Sequence, residues 1–436
     1  MKLSVFRCEI TPPIGHPLCA GWYPPALGIA QPLFAQGVIL FPESDLPIVL
    51  CALDWAELSN GEHDLWRCRL AEAARTSSDR IAVHCIHAHD TPWPDRDAQR
   101  LLDNEGHRNV IMQQGWCDEV LQTVQNAVRS ALSTTAQVTE IRTGHAAVRE
   151  IASNRRILGP DGKTRGVRWT RCRDAVLREE PEGLIDPQLK TISFWEEGRK
   201  LVSLHYYAVH PTSYDGTGLV TSDFVGIARE RLSEAEGSPH LYFTECAGNI
   251  TCGKYNDGVA DNRELFTQRI VEAMMDSEQN AKPRHLDEPR WATEKVILPP
   301  RTDLTRQALR RIISDPETAL SAKSRAAIAL AYRDRCEAGI SISITALRIG
   351  PEIVVLHLPG EAFIEYQLYT QSLCRVATVV VPAYGDCGPG YIPMAQSFEE
   401  GGYEPTDAFC SAESEGLLRA AICKVISRGD GSLSGS

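Results

Sequence analysis

Residues 80–86 constrain the fold more than any other stretch of this chain. They are apolar and β-branched enough to read as a buried strand, and they run into His84-Cys-Ile-His87-Ala-His89-Asp-Thr-Pro-Trp93. Thr91-Pro92 ends the strand. On a strand, side chains two residues apart share a face, about 6–7 Å apart. His87 and His89 therefore converge where strand gives way to loop. Imidazole nitrogens suit zinc, copper, nickel or iron. One pair is not a site, because zinc takes about four ligands. Read blandly, it is two polar residues at a strand end.

The same pattern recurs. His210 follows the strand-like run 204–209, Glu361 follows the run 352–358, and Tyr391 lies in the glycine-rich loop after the run 376–382. Each is a metal-capable side chain just past a strand, where a rigid sheet can hold it. Each also has a plainer reading: His210 as a loop cap, Glu361 as a helix-start carboxylate, Tyr391 as a half-buried aromatic.

Around these points the chain mixes strands and helices without strict alternation. Hairpins are expected over 190–209 and 340–358. Helices are expected over 64–74, 116–128, 262–276, 305–338 (two, broken near Asp315-Pro316), 361–373 and 411–426. Residues 95–107 read as loop or irregular helix, 280–290 as a polar connection, and 384–403 as a long loop. The expected fold class is α/β, a mixed β-sheet core flanked by helices with ligands at strand ends. Nucleotide-binding glycine motifs and a G-x-S-x-G elbow are missing from the sequence.

With 436 residues the chain can bury a large core, and a net charge of −12 argues against nucleic acid or an anionic membrane as partner. No apolar run is long enough to span a bilayer. The N-terminus lacks an apolar signal-peptide segment, which points to the cytoplasm. The 14 cysteines are scattered, as reduced packing residues would be; Cys246, Cys252 and Cys387 lie in glycine-containing loops. Nothing in the sequence fixes the oligomeric state.

The ordered set resembles the neutral (non-lysosomal) ceramidase family, zinc-dependent amide hydrolases. Ile86-His87-Ala-His89 is similar to its T-H-T-H segment and Asn154-Arg155 to its N-R-S. Tyr207-Ala-Val-His210-Pro-Thr-Ser213 followed by Thr221-Ser-Asp223 is the most specific match. Ala247-Gly-Asn-Ile-Thr251, Pro359-Gly360-Glu361 and Gly390-Tyr391-Ile, with Tyr403 beyond, complete the series.

The resemblance implies zinc held by His87, His210, Glu361 and Tyr391. It implies His89 as proton carrier, Arg155 and Tyr403 on the substrate amide, and Thr251 where the family has a serine. A metal-activated water would then cleave the amide of a ceramide-like or smaller N-acyl compound. One segment and two single positions depart from the pattern. Asp90-Thr-Pro-Trp-Pro replaces S-G-P-G-G, Thr251 replaces the serine, and Asn249 replaces an aspartate. The replaced loop leaves open an ester, lactone or other carbonyl metabolite as substrate. The missing serine leaves open a non-catalytic, ligand-binding member. The expected organisation is one catalytic domain over 1–428 with an internal connection near 280–300, a polar tail at 429–436, and no C-terminal immunoglobulin-like domain. Asp223 is expected to cap a helix or orient a histidine, and Trp93 to pack or line the pocket mouth.

Overall fold

The computed structural model describes residues 1–374 and 378–429. Three sheets carry the fold. The first has the strand order Ile81–Cys85, Ile48–Leu53, Phe34–Phe41, Lys2–Glu9 and Ala136–Gln137. It is antiparallel except for the pair Ile48–Leu53 and Ile81–Cys85, which runs parallel. Every residue of that pair is buried, as a strand covered on both faces requires. The helix Asn60–Ala74 makes the crossover that parallel pairing needs.

The second sheet runs His240–Thr244, Arg199–Tyr207, Gln188–Glu196, Glu140–Ala147 and Lys282–Arg284. The third runs Pro289–Val296, Ile342–Ile349, Ile353–His357 and Thr378–Val380. Both expected hairpins form. In the first, the two-residue turn Glu197-Gly198 has φ of +47° and +84°, the left-handed pair that matches strand twist.

Three segments differ from expectation. Residues 95–107 contain a regular helix, Arg96–Asn104, because the Asp95 carboxylate accepts from the Asp97 and Ala98 amides. The polar stretch 280–290 is not a free connection: it gives Lys282–Arg284 to the second sheet and leads into Pro289–Val296 of the third. Residues 384–403 include the strand Tyr391–Ile392 and the helix Ala395–Glu400. The long helical stretch breaks as expected, into Arg306–Ser314 and Leu320–Glu337. The last helix is Ser414–Gly429. Of the expected strand 376–382, residues 376 and 377 lie outside the described residues, as does the tail from 430. Among the described residues, no helix is long and apolar enough to cross a membrane.

What positions the site is the meeting of strand ends from all three sheets. The Cys85 amide donates to the Tyr384 carbonyl (2.9 Å), the Ala383 amide to Thr244 (3.1 Å), the Glu245 amide to Tyr207 (3.0 Å) and the Leu358 amide to Pro382 (2.9 Å). Thr244 Oγ1 donates to the Ile86 carbonyl at 2.6 Å. The loops that leave these strands open into one space.

Candidate metal centre

His87, His89, His210 and Glu361 come together there. His87 enters with φ +70°, a left-handed turn that swings its ring off the strand. Its Nδ1 lies 3.1 Å from the Ala56 carbonyl. His210 Nδ1 lies 2.7 Å from the Ala247 carbonyl and 3.0 Å from that of Ile250. A carbonyl only accepts, so each Nδ1 carries the hydrogen and each Nε2 presents a lone pair.

Those lone pairs face other acceptors. Glu361 Oε2 is 3.2 Å from His87 Nε2 and 3.0 Å from His210 Nε2. His89 Nε2 is 3.3 Å from His87 Nε2. Protonating His210 does not resolve the conflict, because burial pushes its pKa down to about 3. Burial likewise lowers that of His87. His210 Nε2 and Glu361 Oε2 are buried with no hydrogen-bond partner among the described residues. A cation between them would satisfy both. Zinc bonds of about 2.0–2.2 Å in a tetrahedron give ligand–ligand edges of about 3.3–3.6 Å. The Glu361 Oε2 separations of 3.2 Å from His87 and 3.0 Å from His210 come just inside those edges.

Arg155 lies alongside, fully buried. It donates to Glu404 Oε1 and to the Gly248 carbonyl, both at 2.7 Å. Its guanidinium sits 5.0 Å from the Tyr391 ring and 5.3 Å from that of Tyr403. Tyr391 is tied to the site by backbone pairing, Glu361 opposite Tyr391 in a short parallel bridge. Burial raises the phenol pKa of both tyrosines. Thr251 is buried on the short strand Ile250–Thr251, and its hydroxyl donates to the Arg168 carbonyl at 3.0 Å.

Asp223 does not cap by the usual geometry. It stands at φ +51° as the first helical residue of Asp223–Glu236, accepting from Phe224 N, from Ser213 N and Oγ and from Arg263. It therefore ties down the chain just after His210. Trp93 packs, buried against Trp22, and donates to Ser59 Oγ. Cys246, Cys252 and Cys387 are buried thiols hydrogen-bonded to carbonyls, and burial raises their pKa values.

Several residues here escaped the sequence reading. Glu57 is fully buried, 3.6 Å from His87 Nδ1, and neither carboxylate oxygen is hydrogen-bonded among the described residues. Tyr384 stacks on His87 at 4.3 Å. Glu404 joins Arg155 to Arg156. Asp215 and Tyr23 flank His89. Burial pushes the Asp215 carboxyl up, but His89, Tyr23 and Arg171 outweigh it and hold it below the usual range. Glu57 lies just past the strand Ile48–Leu53, so the strand-exit rule that found His87 also reaches it.

No family profile matches the sequence, and no curated protein matches it. Solved structures do match. A ceramidase complexed with C2 superposes with a TM-score of 0.71 at 14% identity, over 98% of this chain and 75% of that one. The neutral ceramidase from Pseudomonas aeruginosa gives 0.70 at 15% identity, over 98% and 74%. This chain has the neutral-ceramidase fold.

Proposed function

We propose that this chain is a zinc-dependent amidohydrolase that cleaves the amide bond of an N-acyl compound, lipid-like or smaller. One observation carries the reading: imidazole lone pairs and a carboxylate oxygen face one another, buried, with no hydrogen to share. The fold, shared with two solved ceramidases, supports the amide as the bond cleaved.

His87, His210 and Glu361 would hold the ion, with Tyr391 beside them. Bound there, zinc supplies a Lewis acid for a carbonyl oxygen and brings the pKa of a water to about 7. The rest is the work of side chains. His89 Nε2 takes a proton from the attacking water and returns it to the leaving amine. Arg155, fixed by Glu404 and the Gly248 carbonyl, offers positive charge to the developing oxyanion without reorganising. Tyr403 and Tyr391 add hydroxyl donors. Thr251 already gives its hydrogen to Arg168, which favours water as the nucleophile.

Elemental analysis of protein purified without chelator tests the metal. About one zinc per chain is expected, lost in the double variant His87→Ala, His210→Ala. A metal-free wild type, or full occupancy in the double variant, overturns the proposal. A panel of N-acyl amides, esters and lactones tests the bond; turnover of esters or lactones without amides would move the substrate class to those.

A further inference from the structure

Both neighbours of His89 Nδ1 are acceptors. Asp215 Oδ2 lies 3.4 Å away and Tyr23 Oη 3.3 Å away. Tyr23 has one hydroxyl hydrogen and gives it to Asp215 Oδ2 at 2.5 Å. Toward His89 the phenol oxygen can therefore only accept. Arg171 Nη2 donates to the other carboxylate oxygen at 2.9 Å, so Asp215 stays an ionised acceptor. With the His87 Nε2 lone pair given to the ion of the hydrolase reading, the acceptors left to a neutral His89 converge on Nδ1, which therefore carries the hydrogen, and Nε2 presents its lone pair beside His87.

The loop that carries Asp215 is held from the same turn that carries His89. Asp90, buried and next in sequence to His89, accepts from Thr217 Oγ1 at 2.7 Å and from the Thr217 amide at 3.2 Å. Gly216 turns with φ +69°, and a Cβ there would stand 3.3 Å from the Tyr23 ring. Beyond it, Leu219–Val220 pairs with Gly28–Ile29, which follow Tyr23 in the chain. Histidine, carboxylate and phenol are thus clamped to one another through Asp90.

We propose that Asp215, on a loop anchored by Asp90, is the positioning residue that fixes His89 as its Nδ1–H tautomer and directs Nε2 at the reacting water. The role rests on the hydrolase reading above. The tautomer does not depend on turnover. Chymotrypsin-type triads use a buried carboxylate in this way. Here the partner is a half-open pair shared with Tyr23 and Arg171.

The test uses the zinc-loaded full chain labelled with ¹⁵N-histidine. Its long-range imidazole spectrum should show His89 protonated at Nδ1; protonation at Nε2 alone overturns the proposal with no variant needed. Asp215→Asn turns an amide N–H toward the ring and favours the other tautomer. It should keep its zinc, hold KM within about threefold and lose about 10²–10³ in kcat. Asp90→Ala, which frees the loop, should lose about tenfold in kcat by the same route. A kcat within threefold of wild type in Asp215→Asn, or a rise in KM alone, overturns the positioning role. If wild type hydrolyses no carbonyl substrate, the function fails while the spectrum still decides the tautomer.

Discussion

His87 and Tyr384 stack on each other at 4.3 Å, and both sit at positive φ, +70° and +60°. A non-glycine residue there costs about 1–3 kcal/mol. The cost is tolerated because backbone bonds pin both: the His87 amide to Trp55, and the Tyr384 amide to Gly360, each at 3.0 Å. Arg155 is held with similar economy. It shares Glu404 with Arg156, 2.7 Å to each, with no side chain of the three more than 6% exposed. Taking one partner from a buried ion pair costs about 3–5 kcal/mol, because the other is left uncompensated. Arg155→Met should therefore destabilise the fold by about 3 kcal/mol, somewhat eased by Arg156. Adding Glu404→Gln should recover part of it. Urea unfolding of the two single variants and the double gives the coupling; strict additivity would show that the pair contributes nothing as a unit.

At the level of elements, the site depends on close passage of two loops. Gly248 lies where a Cβ would fall 2.2 Å from the Glu361 carbonyl oxygen. Only glycine fits, since real Cβ atoms do not approach backbone so closely. Gly248→Ala should push Glu361 aside and weaken zinc binding by about 10–100-fold, read by competition with a chelator. Unchanged affinity would mean that the strand pair Glu361–Ala362 with Tyr391–Ile392 yields without moving its carboxylate.

The strand exits themselves were legible in the sequence. Apolar runs of strand length, each followed by a histidine, a glutamate or a tyrosine, mark His87, His210, Glu361 and Tyr391 in the sequence itself. Glu57 obeys the same rule, yet Asp54-Trp-Ala separates it from its strand and hid it. Asp215 and Glu404 gave no such signal. Each is one acidic residue among 57, and only its neighbours give it a role. The stretch 95–107 reads as loop or irregular helix because it has few apolar positions, although the capping carboxylate of Asp95, which bonds the amides two and three residues on, is a local signal that points to the regular helix.

For the whole molecule, buried histidines set the response to acid. Burial pushes the pKa of His16 down to about 4, of His63 to about 3 and of His84 to about 4. The unfolded chain takes up a proton at each below about pH 6.5; the folded chain does not. Stability from these residues is complete above about pH 6.5 and is lost as pH falls toward 4. In chelator-treated protein the unfolding temperature should fall across that window. It should fall less in His16→Phe, which keeps the packing on Trp116 at 4.4 Å and removes the titration. Equal acid slopes in the two proteins would remove His16 from this account.

Local chemistry along the chain was enough to place the ends of the strands that carry His87, His210 and Glu361, because hydrophobic runs, turn residues and prolines act over a few neighbours. Which ends meet was decided only by the tertiary structure. Three sheets bring His87, His210 and Glu361 from distant parts of the chain to one space, and the short pair Ser153–Asn154 with Ile250–Thr251 sets Arg155 beside them, through pairings that no local pattern encodes. The partners that tune those residues were decided there too: an aspartate beside His89, a glutamate between two arginines, a glycine against Glu361. Charge and packing act through distance in space, and distance in space is what a linear sequence leaves unwritten.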